Sequence, residues 1–308
     1  MVAAMKSRTL AVSGGTGFVG QHLLRMAPAS GYEVRALTRT ARTAEKGITW
    51  IEGALDRPET LAELCEGADA VIHIAGLITG NRAAFEAVNV GGTANMIDAA
   101  RGSGVRRFVH VSSLAAREPE LSNYGWSKAR SERLIAASGL DWTMVRPPAV
   151  YGPGDRETLE LFKMAKRGLV ALPPKGRFSL IHVEDLCRLI LAIVDEPEAV
   201  SETYEPDDGR ENGWDHRHFA RTLGRTFGRR AATVSTPKLV MRAASGLERL
   251  FRRSKAKLTA DRVNYFCHPD WVVTAQRRPP HWLWTPQVRT PTGLKQTAEW
   301  YLAERWLR

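Results

Sequence analysis

No apolar run in this chain approaches the roughly 20 residues needed to span a bilayer, and even Leu189 to Val194 stops far short of that length. The first strand-like run begins within about nine residues of Met1, with no apolar leader core before it, which points to a cytoplasmic protein. Cysteine is scarce. Cys65, Cys187 and Cys267 are odd in number, far apart and without metal-ligand spacing, so they read as buried thiols, with no disulfide framework and no metal site. Internal repeats and low-complexity tracts are missing too. With 44% hydrophobic and 25% charged residues the composition is that of a globular chain and excludes disorder. The 308 residues suffice for one large domain with a smaller second lobe.

Acid is locally scarce. Between Arg221 and Arg262 twelve Lys or Arg face only Glu248 and Asp261, an excess that supplies most of the net charge of +11. Such a segment favours an anionic partner, yet no nucleic-acid module and no basic groove interleaved with aromatics accompanies it, so no nucleic-acid partner is expected.

Glycine, by contrast, is concentrated where it counts. In Thr9-Leu-Ala-Val-Ser-Gly-Gly-Thr-Gly-Phe-Val-Gly20 an apolar strand passes through clustered glycines into a helix from about Phe18 to Met26, the arrangement that holds a dinucleotide pyrophosphate on helix N–H groups. Gly15, Gly17 and Gly20 fit G-x-G-x-x-G, and Gly14, Gly17 and Gly20 fit G-x-x-G-x-x-G; both remain open at this level. Strands are expected at Leu10 to Ser13, Glu33 to Leu37, Ala70 to Ile74, Phe108 to Val111 and Trp142 to Val145. Helices are expected around Gln21, at Glu59 to Glu66, Phe85 to Arg101 and Ser127 to Ser138. This alternation predicts an α/β fold, a doubly wound parallel sheet of Rossmann type covered on both faces. After Arg146 to Gly154 the regularity breaks. The expected division is a dinucleotide-binding domain over 1–152, joined again by a strand at Phe178 to His182 and a helix at Val183 to Val194 within 177–195. A smaller, mostly C-terminal lobe over 153–308 would be packed by Trp271, Trp282, Trp284, Trp300 and Trp306.

A second constellation, Tyr124-Gly-Trp-Ser-Lys128, opens a helix and sets a phenol and an ammonium four residues apart on one face. A neighbouring ammonium favours the phenolate and brings a phenol of pKa about 10 towards working pH. Val111-Ser112-Ser113 ends the preceding strand and puts hydroxyls at the carboxyl edge of the sheet, where ligands of open α/β sheets bind.

Together with His73-Ile-Ala-Gly76, Asn89 to Thr93, Arg146 to Pro153, Ile181 to Asp185, Leu283 to Pro286 and Gly293 to Tyr301, these motifs resemble the extended short-chain dehydrogenases/reductases. That group includes nucleotide-sugar epimerases and 3β-hydroxysteroid dehydrogenases. The resemblance spans nearly the whole chain. It implies Tyr124 as acid/base, Lys128 binding the nicotinamide ribose and lowering the tyrosine pKa, and Ser113, with Ser112 as fallback, holding the substrate oxygen. Gly14, Gly17, Phe18, Val19 and Gly20 would meet the pyrophosphate, Ala75, Gly76 and Asn89 would line the cofactor side of the crevice, and Pro147 to Val150 would approach the nicotinamide. Two departures matter. Thr38-Arg39, with Arg42 nearby, replaces the acid that binds a ribose 2′-hydroxyl, so Arg39 favours NADP(H) over NAD(H). Ala54 stands where the family has an adenine-contacting Asp, leaving Leu55 to pack on the ring.

The expected activity is NADP(H)-dependent interconversion of a secondary alcohol and ketone on a small, non-sugar, lipophilic substrate. Ala149, standing where sugar-nucleotide members carry asparagine, weighs against the alternative of a nucleotide-sugar epimerase or dehydratase. A second alternative is a non-catalytic NADP-binding sensor or structural subunit. From Lys238 to Arg253, Val240, Ala243, Ala244, Leu247, Leu250 and Phe251 recur at helical spacing opposite Lys238, Arg242, Arg249 and Arg253. This segment reads as an ordinary amphipathic helix or as a peripheral contact with an anionic membrane. A homodimer is left open.

Overall fold

The computed structural model describes residues 8–243, 245 and 260–307. Seven strands form one wholly parallel sheet: β1 (Thr9–Ser13), β2 (Glu33–Thr38), β3 (Ile48–Glu52), β4 (Ala70–His73), β5 (Arg107–Val111), β6 (Asp141–Val145) and, much later in the chain, β11 (Glu202–Tyr204). Their order is β11-β6-β5-β4-β1-β2-β3. The chain winds outward from β1 to β3, crosses back to β4, and winds the other way. The point of reversal therefore lies between the carboxyl ends of β1 and β4, where such sheets open a ligand crevice.

Both faces of the sheet are covered, and its strands are correspondingly apolar throughout. Leu10, Val12 and Ile72 point to a core shared with α1 (Phe18–Ala29) and α7 (Val183–Val194). The alternate residues Ala11 and Val71 join Leu61 and Leu64 of α2 (Pro58–Cys65), Met96 and Ile97 of α4 (Gly92–Gly102) and Ile135 of α5 (Asn123–Ala136) on the opposite face. The remaining apolar core gathers Phe162 of α6 (Leu159–Arg167), Phe219 and Leu223 of α8 (His216–Thr226), and Leu294, Ala298 and Tyr301 of the C-terminal helix Thr290–Ala303.

The structure departs from expectation in four places. β3 and β11 are strands the apolar pattern did not announce, being short and broken by Thr, Trp or Glu. The strand expected at Phe178 to His182 splits at Ser179 and joins the main sheet at neither end. β10 (Leu180–His182) pairs with β7 (Ala149–Tyr151), while β9 (Arg177–Phe178) lies between Trp214–Asp215 and Asp270–Trp271. The helix expected at Phe85 to Arg101 is preceded by a short α3 (Arg82–Phe85) and by a π-helical turn, Glu86–Gly91, before α4 begins. Trp284 packs on the core of the sheet instead of the smaller lobe, and Trp282 is exposed.

Candidate active site

The glycine loop connects β1 to α1 and resolves the two parsings. Gly14 turns with φ 83°, and a Cβ there would stand 2.6 Å from the Ala75 nitrogen. Gly17 N donates to Gly14 O at 3.0 Å, and a Cβ on Gly20 would collide with that same carbonyl oxygen. Gly15 meets only the end of the Leu24 side chain. Gly14 and Gly20 are thus the glycines the backbone requires, while a Cβ on Gly17 would stand 3.3 Å from the Gly14 oxygen. Gly17 caps α1 without a side-chain bond, and the first turn holds no acid. The N–H groups of Phe18, Val19 and Gly20 therefore face the loop at the positive end of the helix, a cradle that fits a pyrophosphate.

At the neighbouring strand ends, a buried hydrogen-bond chain fixes the rest of the crevice. Thr93 Oγ1 donates to Asn89 O at 2.6 Å, so His73 Nε2 must donate to Thr93 Oγ1 (3.0 Å), leaving Nδ1 to accept from Ser13 Oγ (2.6 Å). Burial, with Lys128 adding to it, pushes His73 down to about 3 and keeps the ring neutral. Ser13 Oγ in turn accepts from Ala75 N. Asn89, expected to line the crevice, is instead buried in the π turn. Its amide accepts from Leu77 N (2.7 Å) and donates to Leu77 O (3.0 Å) and Ser127 Oγ (2.9 Å), so it braces the 75–77 turn against α5.

The two serines after β5 separate cleanly. Ser112 Oγ donates to Glu132 Oε1 at 2.6 Å, whereas Ser113 Oγ accepts from Ala115 N at 3.2 Å and lies near enough to the Tyr124 phenol to favour its phenolate. Ser122 caps α5 by accepting from Gly125 N, so Tyr124 sits in its first turn and Lys128 one turn on. Lys128 is buried, its ammonium donating to Val111 O at 2.9 Å, and a Cβ on Gly76 would lie 3.5 Å from its Nζ. Burial lowers the lysine to about 8 despite Glu132. The expected lowering of Tyr124 by Lys128 is not the arrangement found. Burial raises the phenol, Glu157 adds to that, and the opposing pull comes from the Ser113 hydroxyl, because the ammonium is turned to the Val111 carbonyl.

Other residues complete the setting. Glu132 holds Arg146 through two bonds (2.8 and 2.6 Å), and Arg146 reaches the buried Glu205 at 3.4 Å. Sequence reasoning missed Glu132, although it repeats the 124/128 spacing once more along α5. Asp261 accepts from Asn123 N at 2.8 Å, which docks the helix Ala260–Phe266 on the start of α5, and Tyr265 lies close enough to Tyr124 for its phenol to be raised by it, on top of burial. Nothing in the sequence pattern announced that contact. Leu114, Trp271 and Val273, with Leu121 and Tyr265 against them, form an apolar cluster beginning one residue after Ser113.

The remaining expected residues fall along the crevice rim. Arg39 is exposed just past β2 and pairs with no described side chain, whereas Arg42 lies over the Trp50 ring at 4.8 Å. Leu55 rests on Gly92, where a Cβ would stand 2.7 Å from its Cδ1. Pro147 is buried and accepts from Leu114 N (3.0 Å), backing the serine turn, while Val150 pairs with Ile181 and Ala149 is exposed. The amphipathic helix expected at Lys238 to Arg253 lies largely outside the described residues. Of its described part, Leu239 and Val240 are exposed. Among the described residues no helix is long and apolar enough to cross a membrane.

A parallel sheet with a glycine loop at its reversal point and a Ser-Tyr-Lys group at the next strand end defines a class. The chain belongs to the NAD dependent epimerase/dehydratase family, whose sequence profile matches residues 10–205. It is an NAD(P)-dependent oxidoreductase of the extended short-chain dehydrogenase/reductase type. It is 33% identical over 309 residues to the ceramide reductase of Caulobacter vibrioides, covering 97% of this chain and 96% of that one. It is 32% identical over 270 residues to a 4-hydroxy-2-methyl-3-oxo-4-farnesyl-3,4-dihydroquinoline-1-oxide ketoreductase of Stigmatella aurantiaca, covering 78% and 80%. Among solved structures, MoeE5 in complex with UDP-glucose and NAD shares the fold, with a TM-score of 0.73 at 22% identity, 97% of this chain and 100% of that one.

Proposed function

We propose that this protein reduces a ketone to a secondary alcohol on a non-sugar, lipophilic substrate with NADPH. The observation that carries the reading is the placing of Ser113 beside the Tyr124 phenol, one helical turn from a buried Lys128. The phenol raised by burial favours reduction, because it stays protonated near neutrality and is the form able to give a proton. Two further observations favour an apolar substrate: the cluster of Leu114, Tyr265, Trp271 and Val273 beside the serine, and the exposed Ala149 in place of a sugar-binding amide. Two relatives that cover 97% and 78% of this chain are reductases, one of ceramide and one of a farnesyl-bearing quinoline.

When bound, the dinucleotide supplies the hydride. The N–H groups of Phe18, Val19 and Gly20 would hold its pyrophosphate, Arg39 its 2′-phosphate, Leu55 its adenine, and Lys128 its nicotinamide ribose, with Ala75, Gly76, Pro147 and Val150 along the nicotinamide end. Ser113 donates a hydrogen bond to the substrate carbonyl, and Tyr124 delivers its proton as negative charge builds on that oxygen. Absorbance of reduced nicotinamide, followed over ceramide-like ketones, aryl ketones and UDP-glucose, tests the reading. Turnover of an apolar ketone, lost by roughly 10² to 10⁴-fold in Tyr124→Phe, is the expected result, and turnover of the sugar nucleotide alone overturns it. NADPH should bind more tightly than NADH, with the difference removed by Arg39→Ala; equal affinities in the unaltered protein would return Arg39 to the solvent.

A further inference from the structure

A second concave site lies between α8 and the C-terminal helix Thr290–Ala303, in a part of the protein that the reduction leaves unused. Its volume is about 860 Å³, inside the range of small-molecule sites. Arg210, Arg225, Arg289, Lys295 and His218 line it, with Trp214 at its base. Its one acidic lining residue, Asp208, is already engaged, accepting from Trp214 Nε1 (2.7 Å), Thr290 Oγ1 and Arg210 N (3.2 Å).

The cations, by contrast, are short of partners. Arg225 and Arg289 are exposed and form no ion pair or side-chain hydrogen bond among the described residues. Lys295 has only Glu299 at 3.8 Å, a solvated i,i+4 contact with both side chains more than half exposed and little energetic value. Arg210 lies flat on the Trp214 ring at 4.2 Å with its Nε spent on Gly213 O. Like charges converging from two walls of one cleft repel until an anion sits between them. Arg225 belongs to the acid-poor stretch from Arg221 to Arg262, so part of that surplus is directed into a defined cleft.

We propose that this cleft binds a small soluble polyanion bearing two or more phosphate groups, gripped by Arg225 from α8 and by Arg289 and Lys295 from the facing helix. Two walls of cations suit a diphosphate better than a single phosphate, since each wall can take one group.

Titration calorimetry of the full chain with inorganic pyrophosphate tests this, with NADPH held saturating so that the glycine loop is already filled. One-to-one binding is expected, weakened about tenfold or more by Arg225→Glu with Arg289→Glu and by added salt. Arg221→Glu, a single charge reversal on α8 outside the cleft lining, should leave it within about threefold. The milder pair Arg225→Gln with Arg289→Gln should weaken binding in the same direction, which guards against a folding defect in the reversed pair. No binding in the presence of NADPH, or equal binding in both pairs and in the unaltered protein, overturns the proposal. Sedimentation with phosphatidylglycerol vesicles that depends on Arg225 and Arg289, without pyrophosphate binding, also overturns it and makes the surface a lipid contact.

Discussion

Ser112 and Ser113 differ in role because consecutive residues leaving a strand point to opposite sides. One hydroxyl goes to Glu132, and the other lies beside Tyr124. Ser113→Ala should therefore cost about 10²-fold in turnover with little change in melting temperature. Ser112→Ala should do the reverse, costing roughly 1–3 kcal/mol of stability through the carboxylate it leaves short of a donor. A steady-state assay beside a thermal melt on each variant checks the pair, and the opposite pattern would exchange their roles. Lys128 gives a pH signature. Its folded pKa of about 8 lies below the unfolded value of about 10.4, so between those two the unfolded chain holds more protons and stability rises with pH. Below about 8 both states are charged and the cost of burying the ammonium is at its full value. Lys128→Met should thus stabilise the cofactor-free protein most at pH 7, and the gain in melting temperature should shrink as pH climbs through 8 towards 10. The tyrosine and lysine were read from their spacing together with the serine-bearing strand end before them and the family resemblance. The choice of serine and the direction of the phenol's shift were not, since both depend on which way a side chain turns.

At the scale of elements, the glycine loop was legible in kind and ambiguous in register, because a sequence shows where glycines are but not which carries a positive φ. The structure makes the two parsings separable. Gly20→Ala drives a Cβ into the Gly14 carbonyl and pushes α1 off the loop, so NADPH affinity should fall by more than about tenfold, one such step being worth 1.4 kcal/mol. Gly15→Ala meets only the tip of Leu24 and should stay within a few-fold. Cofactor titration of the two variants decides between them. Unbroken apolar strands such as β1 and β5 stood out because both their faces are buried. β3 and β11 did not, since each lies at an edge of the sheet, where polar residues on one side are tolerated. The π turn before α4 was invisible for a related reason: its residues read as helix, and only the position of Asn89 between Leu77 and Ser127 reveals that the helix is locally widened.

Over the whole molecule, the family motifs could be recognised without any sign that they touch. Ile181 to Asp185 and Leu283 to Pro286 are far apart in sequence, yet Asp185 accepts from Gln287 N (2.8 Å) and Val288 N (2.9 Å), and Trp284 Nε1 donates to Asp185 O (3.1 Å). The smaller lobe's contribution to the active site, Asp261 on Asn123 and Tyr265 beside Tyr124, was likewise unreadable, because contacts of long sequence separation leave no periodicity. The Asp185 clasp has a consequence for how the chain is made. A ribosome releases α7 while the amide partners of its carboxylate, 102 and 103 residues downstream, have yet to be synthesised. The nucleotide-binding half therefore emerges with an acid destined for burial and only the neighbouring Arg188 to meet it. The native packing of that half should therefore be completed only once residues 283–288 are available to close on Asp185.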